Sequence, residues 1–176
     1  MDLSKWTLFI DRDGVLNRHL PGDYVTHVGK CEIVPGAFVA MGLLQDLFTR
    51  LVIVSNQRGV KKGLMTKNDL DDVNNYIRES LNIRKEVHFL CATSQDDLDY
   101  KPNIGLGIRA KLLMPSIDFR KSIIVGDNRS DILFGRKLGM ICVGIRGELL
   151  QDVNCDYYVE DLLTFTNLIV NEEITF

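Results

Sequence analysis

Six short runs of apolar and β-branched residues punctuate the chain at 7–10, 51–54, 87–91, 122–125, 141–145 and, as a shorter candidate, 157–159. The runs are apolar on both faces, so they have no side to offer to water. Such strands belong inside a parallel sheet covered above and below by helices. The intervening stretches supply those covers. Residues 37–48 are heavily apolar, and 66–81 carry Leu70, Val73, Ile77 and Leu81 at spacings of three and four, a one-sided helical stripe. Thr66 with Asp69 resembles a capping box at its start. A further helix is expected over 103–114, stopping before Pro115, and another from Ser130 as N-cap through Leu138, with Gly139 as its stop. Strand–helix alternation of this kind implies right-handed crossovers and predicts an α/β fold: a doubly wound parallel sheet in three layers, α/β/α. No repeat, low-complexity tract or linker divides the 176 residues, so 1–176 is expected to form one domain. No inserted cap domain is expected, because 17–35 is too short and 59–81 holds only a loop and one helix.

Charge and composition narrow the partners. A formal net charge of −3 gives no electrostatic reason to expect nucleic acid or an anionic membrane. The apolar runs are strand-sized rather than membrane-spanning. The opening Met1-Asp2-Leu3-Ser4-Lys5 lacks the apolar core of a signal peptide, which points to a cytoplasmic protein, expected to be a monomer. Cys31, Cys91, Cys142 and Cys155 form no Cys-x-x-Cys pair and read as buried free thiols.

In doubly wound sheets, ligands bind beyond the carboxyl ends of the strands. Asp11 and Asp13 close the first apolar run and lead into Gly14. Two carboxyls held that close resist joint ionisation unless a cation lies between them. The alternative is an Asx-turn with a cap, but no helical pattern follows; instead 17–35 is a loop-rich excursion resembling a flap. Ser55-Asn56-Gln57-Arg58 follows the second run, where a hydroxyl, amides and backbone N–H groups could cradle an anion or simply form a polar turn. Lys101 precedes Pro102 and is either a surface lysine or a fixed charge beside a phosphate. Asp127 and Asp131 follow the fourth run. Asp131 also suits the first turn of a helix, where its charge complements the dipole. Carboxylates without clustered thiolates or imidazoles suit Mg²⁺.

Taken in order, Asp11-Arg12-Asp13-Gly14, Ser55-Asn56, Lys101-Pro102 and Gly126-Asp127 with Asp131 resemble the four motifs of haloacid-dehalogenase-superfamily (HAD) phosphatases, over about 9–147. The longer forms Asp11-Arg12-Asp13-Gly14-Val15-Leu16-Asn17 and Ser55-Asn56-Gln57-Arg58-Gly59, with Tyr24-Val25 and Pro35-Gly36, resemble its subfamily IIIA. That branch holds D-glycero-D-manno-heptose 1,7-bisphosphate phosphatases and histidinol-phosphate phosphatases. The resemblance implies a Rossmann-like, HAD-like sheet and a Mg²⁺-dependent phosphomonoester hydrolase of carbohydrate or related metabolism. The implied substrates are a small sugar phosphate or bisphosphate, such as heptose bisphosphate, or histidinol phosphate. It implies Asp11 as the nucleophile forming an aspartyl-phosphate, Asp13 as general acid and then base, and Lys101 neutralising charge. Ser55, Asn56, Gln57 and Arg58 would contact substrate. Asp11, the backbone carbonyl of Asp13 and Asp127 would hold Mg²⁺, with Asp131 supporting them. Asp13 must be protonated for the first step, so a raised pKa is expected of it.

One stretch departs from that branch. Its relatives carry a zinc loop, Cys-x-His and then Cys-x-Cys-Arg, just before Lys-Pro. Here only Cys91 could serve, and Tyr100 replaces the arginine, so no zinc is expected. Asp96, Asp97 and Asp99 make the loop acidic, which could favour an amine-bearing substrate or leave a merely solvated loop. His19, His27, Tyr24 and Arg58 are candidate substrate contacts. Two other classes compete: a receiver-like phospho-accepting signalling module and a non-catalytic phosphate-binding relative. A receiver places its acceptor aspartate on the third strand, where 87–91 ends without one.

Overall fold

In a computed structural model the described residues are 2–94, 98–150, 152–174 and 176. Six strands, β1 (Thr7–Ile10), β2 (Arg50–Asn56), β3 (His88–Ala92), β4 (Ser122–Gly126), β5 (Ile141–Ile145) and β6 (Tyr157–Val159), form one sheet in the order β3-β2-β1-β4-β5-β6. All five pairings are parallel. Alternate strand residues face opposite layers, which explains why the runs are apolar on both sides. Leu8, Ile10, Ile53, Ile123 and Val143 pack with α1 (Ala37–Leu47), α3 (Lys67–Ser80) and α6 (Leu162–Val170). Phe9, Val52, Val54, Ile124 and Cys142 pack on the other face with α4 (Gly105–Leu113) and α5 (Arg129–Leu138). The fold is therefore the expected three-layer, Rossmann-like α/β/α arrangement. No helix among the described residues is long and apolar enough to cross a membrane.

Three local features differ from the sequence reading. The sequence pattern predicts no helix after 157–159, whereas α6 forms there; Asp161 caps it by accepting from the Thr164 N–H at 2.7 Å. A one-turn helix, α2 (Arg58–Lys61), follows β2 where only a loop was expected. The N-cap of α5 is Asn128 rather than Ser130. Asn128 Oδ1 accepts from the Ser130 N–H at 2.9 Å, and Asp131 Oδ2 accepts from the Asn128 N–H at 3.1 Å. That reciprocal pairing satisfies donors that Ser130, two residues further on, could not reach. The expected box at α3, with Thr66 and Asp69 as partners, is present.

Strand order runs outward from β1 in both directions, so the chain reverses course between β1 and β4. That is the topological switch point at which open α/β sheets bind ligands.

Candidate active site

The carboxyl ends of β1, β2 and β4 open into a cavity of about 410 Å³. All nine predicted site residues line it: Asp11, Asp13, Ser55, Asn56, Gln57, Arg58, Lys101, Asp127 and Asp131. His19 and Tyr24 also line it, whereas His27 does not; it sits exposed ahead of the short 3-10 helix Val28–Lys30.

Two glycines allow the acids to converge. Gly14 has φ +92° and lies so close to Asp127 that any added Cβ would overlap its carboxylate. Gly126 ends β4 against Asp131, and a Cβ there would meet the Asp131 side chain. Glycine at these positions lets the turn after β1 approach Asp127 and the end of β4 approach Asp131 of α5, where a larger residue would hold them apart.

Asp11, Asp127 and Asp131 form one cluster, each presenting a carboxylate oxygen within 4.8 Å of the others. Lys101 is the cation among them. Its Nζ lies 2.6 Å from Asp11 Oδ1 and 2.6 Å from Asp131 Oδ1, and donates to the Val54 carbonyl at 2.8 Å. Burial disfavours its charge, but the two carboxylates outweigh that and raise its pKa. One lysine does not neutralise three acids. Burial and then the Asp131 charge push the Asp11 pKa well above the carboxylate range, despite Lys101. Burial and Asp131 likewise raise Asp127 to about 7. Hard oxygens crowded this way, with less positive charge than negative, fit a divalent cation such as Mg²⁺.

Asp13 meets the opposite environment, and here the expectation of a raised pKa is overturned. Its Oδ1 accepts from Arg12 Nη2 and from Asn17 Nδ2, both at 3.0 Å; its Oδ2 accepts from Gln57 Nε2 at 2.6 Å and Ser55 Oγ at 3.2 Å. Burial pushes its pKa up, but the Arg12 guanidinium and the hydrogen bonds from Arg12, Asn17 and Gln57 outweigh it and hold the carboxyl below its usual value. Arg12 and Asn17, both fully buried, are the residues that sequence reasoning missed. Their only signal was position: Arg12 between two acids reads as a spacer, and Asn17 as the first residue of a loop.

The polar segment that ends β2 and follows it makes more bonds inside the protein than the sequence pattern suggests. Asn56 Nδ2 donates to the Lys101 carbonyl and Asn56 Oδ1 accepts from the Lys101 N–H, both at 2.9 Å, so its amide clamps the lysine backbone. Gln57 also donates to Ser55 Oγ at 2.7 Å. Arg58 opens α2 at the cavity wall. The excursion after Asp13 is tied down beside it: Lys62 Nζ donates to Tyr24 Oη at 2.9 Å and lies 4.9 Å from the centre of its ring. Asp96 and Asp97 of the acidic loop lie outside the described residues. Asp99 pairs with Arg109 of α4 and is not among the residues that line the cavity.

Comparison with known proteins gives this geometry a family. Residues 36–163 match the model of the polynucleotide kinase 3 phosphatase family. A D-glycero-alpha-D-manno-heptose-1,7-bisphosphate 7-phosphatase of Mycobacterium bovis is 35% identical over 133 residues, covering 73% of this chain and 70% of that protein. A D-glycero-D-manno-heptose-1,7-bisphosphate 7-phosphatase of Chlorobaculum tepidum is 25% identical over 171 residues, covering 88% and 85%. Among solved structures, the D,D-heptose 1,7-bisphosphate phosphatase from B. bronchiseptica, complexed with magnesium and phosphate, superposes with a TM-score of 0.80 at 22% identity, covering 94% of this chain and 99% of that one. The chain belongs to the haloacid dehalogenase superfamily of phosphatases.

Proposed function

We propose that this phosphatase acts as one domain over 1–176 on a small phosphomonoester, a sugar phosphate or bisphosphate, through an aspartyl-phosphate on Asp11. The observation that carries the reading is the unequal treatment of two neighbouring acids. Asp11 lies in the acid cluster on Lys101 at 2.6 Å, while Asp13 is held apart by four donors. Lys101, together with a divalent cation among the three carboxylates, would keep Asp11 ionised as a nucleophile must be, while Asp13, outside that cluster, is left to carry the proton.

In the first step, an Asp11 carboxylate oxygen bonds to phosphorus while the phosphorus–oxygen bond to the leaving alcohol breaks. Asp13 gives its proton to that departing oxygen. In the second step, water attacks phosphorus, Asp13 takes the water proton, and the bond to Asp11 breaks to release inorganic phosphate. Splitting hydrolysis in this way replaces one difficult displacement with two easier ones. Lys101 offsets the negative charge on Asp11 and the phosphoryl oxygens. Asp11, Asp127 and the Asp13 carbonyl, supported by Asp131, would hold Mg²⁺, which supplies further positive charge against the phosphoryl oxygens. Arg58, Ser55 and the N–H groups of the segment after β2 would meet the phosphate or the rest of the substrate.

The cradle around Asp13 favours its ionised form, which is the form needed for the second step. Protonation for the first step is helped by the substrate itself. A phosphate dianion brought next to Asp13 adds negative charge and raises its pKa.

The heptose bisphosphate phosphatases among the relatives support a sugar bisphosphate as first candidate, with histidinol phosphate as the other metabolite to try. The test is a panel of phosphorylated metabolites assayed with Mg²⁺, with the Asp11→Asn protein as blank. Turnover of sugar phosphates well above the blank is the expected result. Release of phosphate only at blank level across the panel returns the chain to a phosphate-binding role. We also propose that no zinc is held near Cys91, whose Sγ accepts a hydrogen bond from Asn74 at 3.6 Å. Stoichiometric zinc by elemental analysis of the purified protein would contradict this.

A further inference from the structure

Among the described residues Arg12 is the largest fully buried side chain, and it does not line the cavity. A guanidinium in the interior carries a heavy desolvation penalty, and a whole buried ion pair can often be replaced by well-packed apolar side chains without loss of stability. A buried arginine at this place therefore calls for a role other than holding the fold. Its two outer nitrogens are committed. Nη2 donates to Asp13 Oδ1 and Nη1 donates to Asn74 Oδ1, each at 3.0 Å, while Nε has no hydrogen-bond partner among the described residues. Asn74 belongs to α3, which contributes no side chain to the cavity. The Asn74 amide is itself oriented from the other side, since its Nδ2 donates to Cys91 Sγ of β3 at 3.6 Å. The Arg12 carbonyl also accepts from the N–H groups of Leu16 and Asn17, at 2.9 and 3.1 Å. That turn brings Asn17, the second donor to Asp13 Oδ1, into place.

We infer that Arg12 is a positioning residue for Asp13, with Asn74 of α3 as its fixed anchor. The planar fork of a guanidinium transmits direction in a way a flexible ammonium does not. One arm is pinned to a rigid helix, and the other arm therefore defines where Asp13 Oδ1 can sit. The inference rests on the reading of Asp13 as proton donor to the leaving group, and it adds an element outside the cavity to the machinery for that step. Misplacing a reacting group by about 1 Å can cost on the order of 10²-fold.

The experiment compares kcat/KM, which reports steps through departure of the leaving group, for two esters. p-Nitrophenyl phosphate needs no proton on its leaving oxygen; fructose 1,6-bisphosphate, an alkyl ester, does. The variants are Arg12→Met, Asn74→Leu, which removes the acceptor, and Asn74→Asp, which keeps one, with Asp13→Asn as reference. Circular dichroism checks the fold of each. General acid assistance is worth about 10²–10⁴-fold, so Asp13→Asn is expected to lose that range on the alkyl ester and far less on the aryl ester. Asn74→Leu is expected to lose about tenfold or more on the alkyl ester, with less than about threefold on the aryl ester, and Asn74→Asp to restore most of the loss. Arg12→Met should exceed Asn74→Leu in the same pattern. If it does not fold, the Asn74 pair still decides. Equal losses on both esters in Asn74→Leu, or no loss at all, overturn the inference while leaving-group dependence in Asp13→Asn keeps the acid assignment intact. Loss independent of leaving group in Asp13→Asn overturns the acid assignment and the inference together.

Discussion

Asp11 and Asp13 stand two residues apart at the end of the same strand, yet the protein treats them in opposite ways. Asp11 is buried, shares one lysine with Asp131 and faces Asp127, so without a divalent cation its neutral form is favoured. Asp13 receives four donors, one of them a buried guanidinium, and its ionised form is favoured. Burial acts on both in the same direction. What separates them is the ratio of donors and cations to carboxylates, and so a protonation state is assigned by partners rather than by depth. The difference is sharpest in its consequences for Asp11→Asn. Removing that carboxylate is expected to lower turnover on the order of 10³-fold or more. It also relieves the crowding with Asp127 and Asp131, so the metal-free variant should melt no lower than the wild type. Turnover within tenfold of the wild type would remove Asp11 from the chemistry. A clear drop in melting temperature would mean that the acid cluster is not under repulsion.

Among the described residues Lys101 is the only cation paired to the crowded side, and its removal probes that side from the opposite direction. Lys101→Met keeps the length of the stem but leaves Asp11 and Asp131 without their partner in a buried site. Breaking a buried pair from one side costs about 3–5 kcal/mol, which for a protein of this size corresponds to roughly 6–20 °C in melting temperature. Thermal unfolding followed by circular dichroism in metal-free buffer measures it. Added Mg²⁺ should recover part of the loss, because it brings positive charge back to the same three carboxylates. A variant that melts within about 2 °C of the wild type would show that the acids are neutralised by protonation and do not depend on the lysine.

The two regions also differ in how far they could be read from sequence. Asp11, Lys101, Asp127 and Asp131 follow apolar runs or sit near loop ends, so the fold class places them at the switch point once the strands are identified. The Asp13 cradle was hidden. Arg12 and Asn17 are polar residues whose burial is set by what packs over them, and Asn74 lies on a helix whose sequence pattern indicates only its apolar stripe of Leu70, Val73 and Ile77. Gln57 and Asn56 were legible as polar groups at a strand end but not as internal braces, because a hydrogen-bond partner such as the Lys101 backbone is 45 residues away in the chain. The same limit applies to the elements. Strand positions were legible from hydrophobic pattern, whereas α6 was not. It is a nine-residue helix after a three-residue strand, and its buried stripe of Leu162, Phe165 and Ile169 is blurred by the apolar Leu163, Leu168 and Val170 beside it. The Asn128 cap was displaced by two residues because Ser130 is also a good capping residue, and only the Asp131 contact back to the Asn128 N–H distinguishes them.

The smallest effect tests the comparison without altering a residue. A carboxyl whose pKa is raised on folding binds protons more tightly in the native state than in the unfolded chain, so stability falls as pH rises through the window between the two values. For Asp127 that window runs from its ordinary value of 3.8 to about 7, and Asp11, also raised, adds in the same direction. Asp13 has the opposite sign: its pKa is lowered, so the stability it contributes is present above its ordinary value and is lost only as pH falls below it. Between pH 5 and 7.5 the crowded cluster therefore acts alone among these three. Metal-free protein should lose stability over that interval through these groups. Mg²⁺ requires the carboxylates ionised, so it should stabilise more at pH 7.5 than at pH 5. At a hundredfold excess over its dissociation constant, a ligand specific to the native state adds about 2.7 kcal/mol, or roughly 5–10 °C here. Melting curves at the two pH values with and without Mg²⁺ measure the four corners of this cycle. A Mg²⁺ shift that is equal at both values, or larger at pH 5, would mean that the ion does not draw on Asp11 and Asp127, and the division of labour between the two strand-end acids would lose its electrostatic basis.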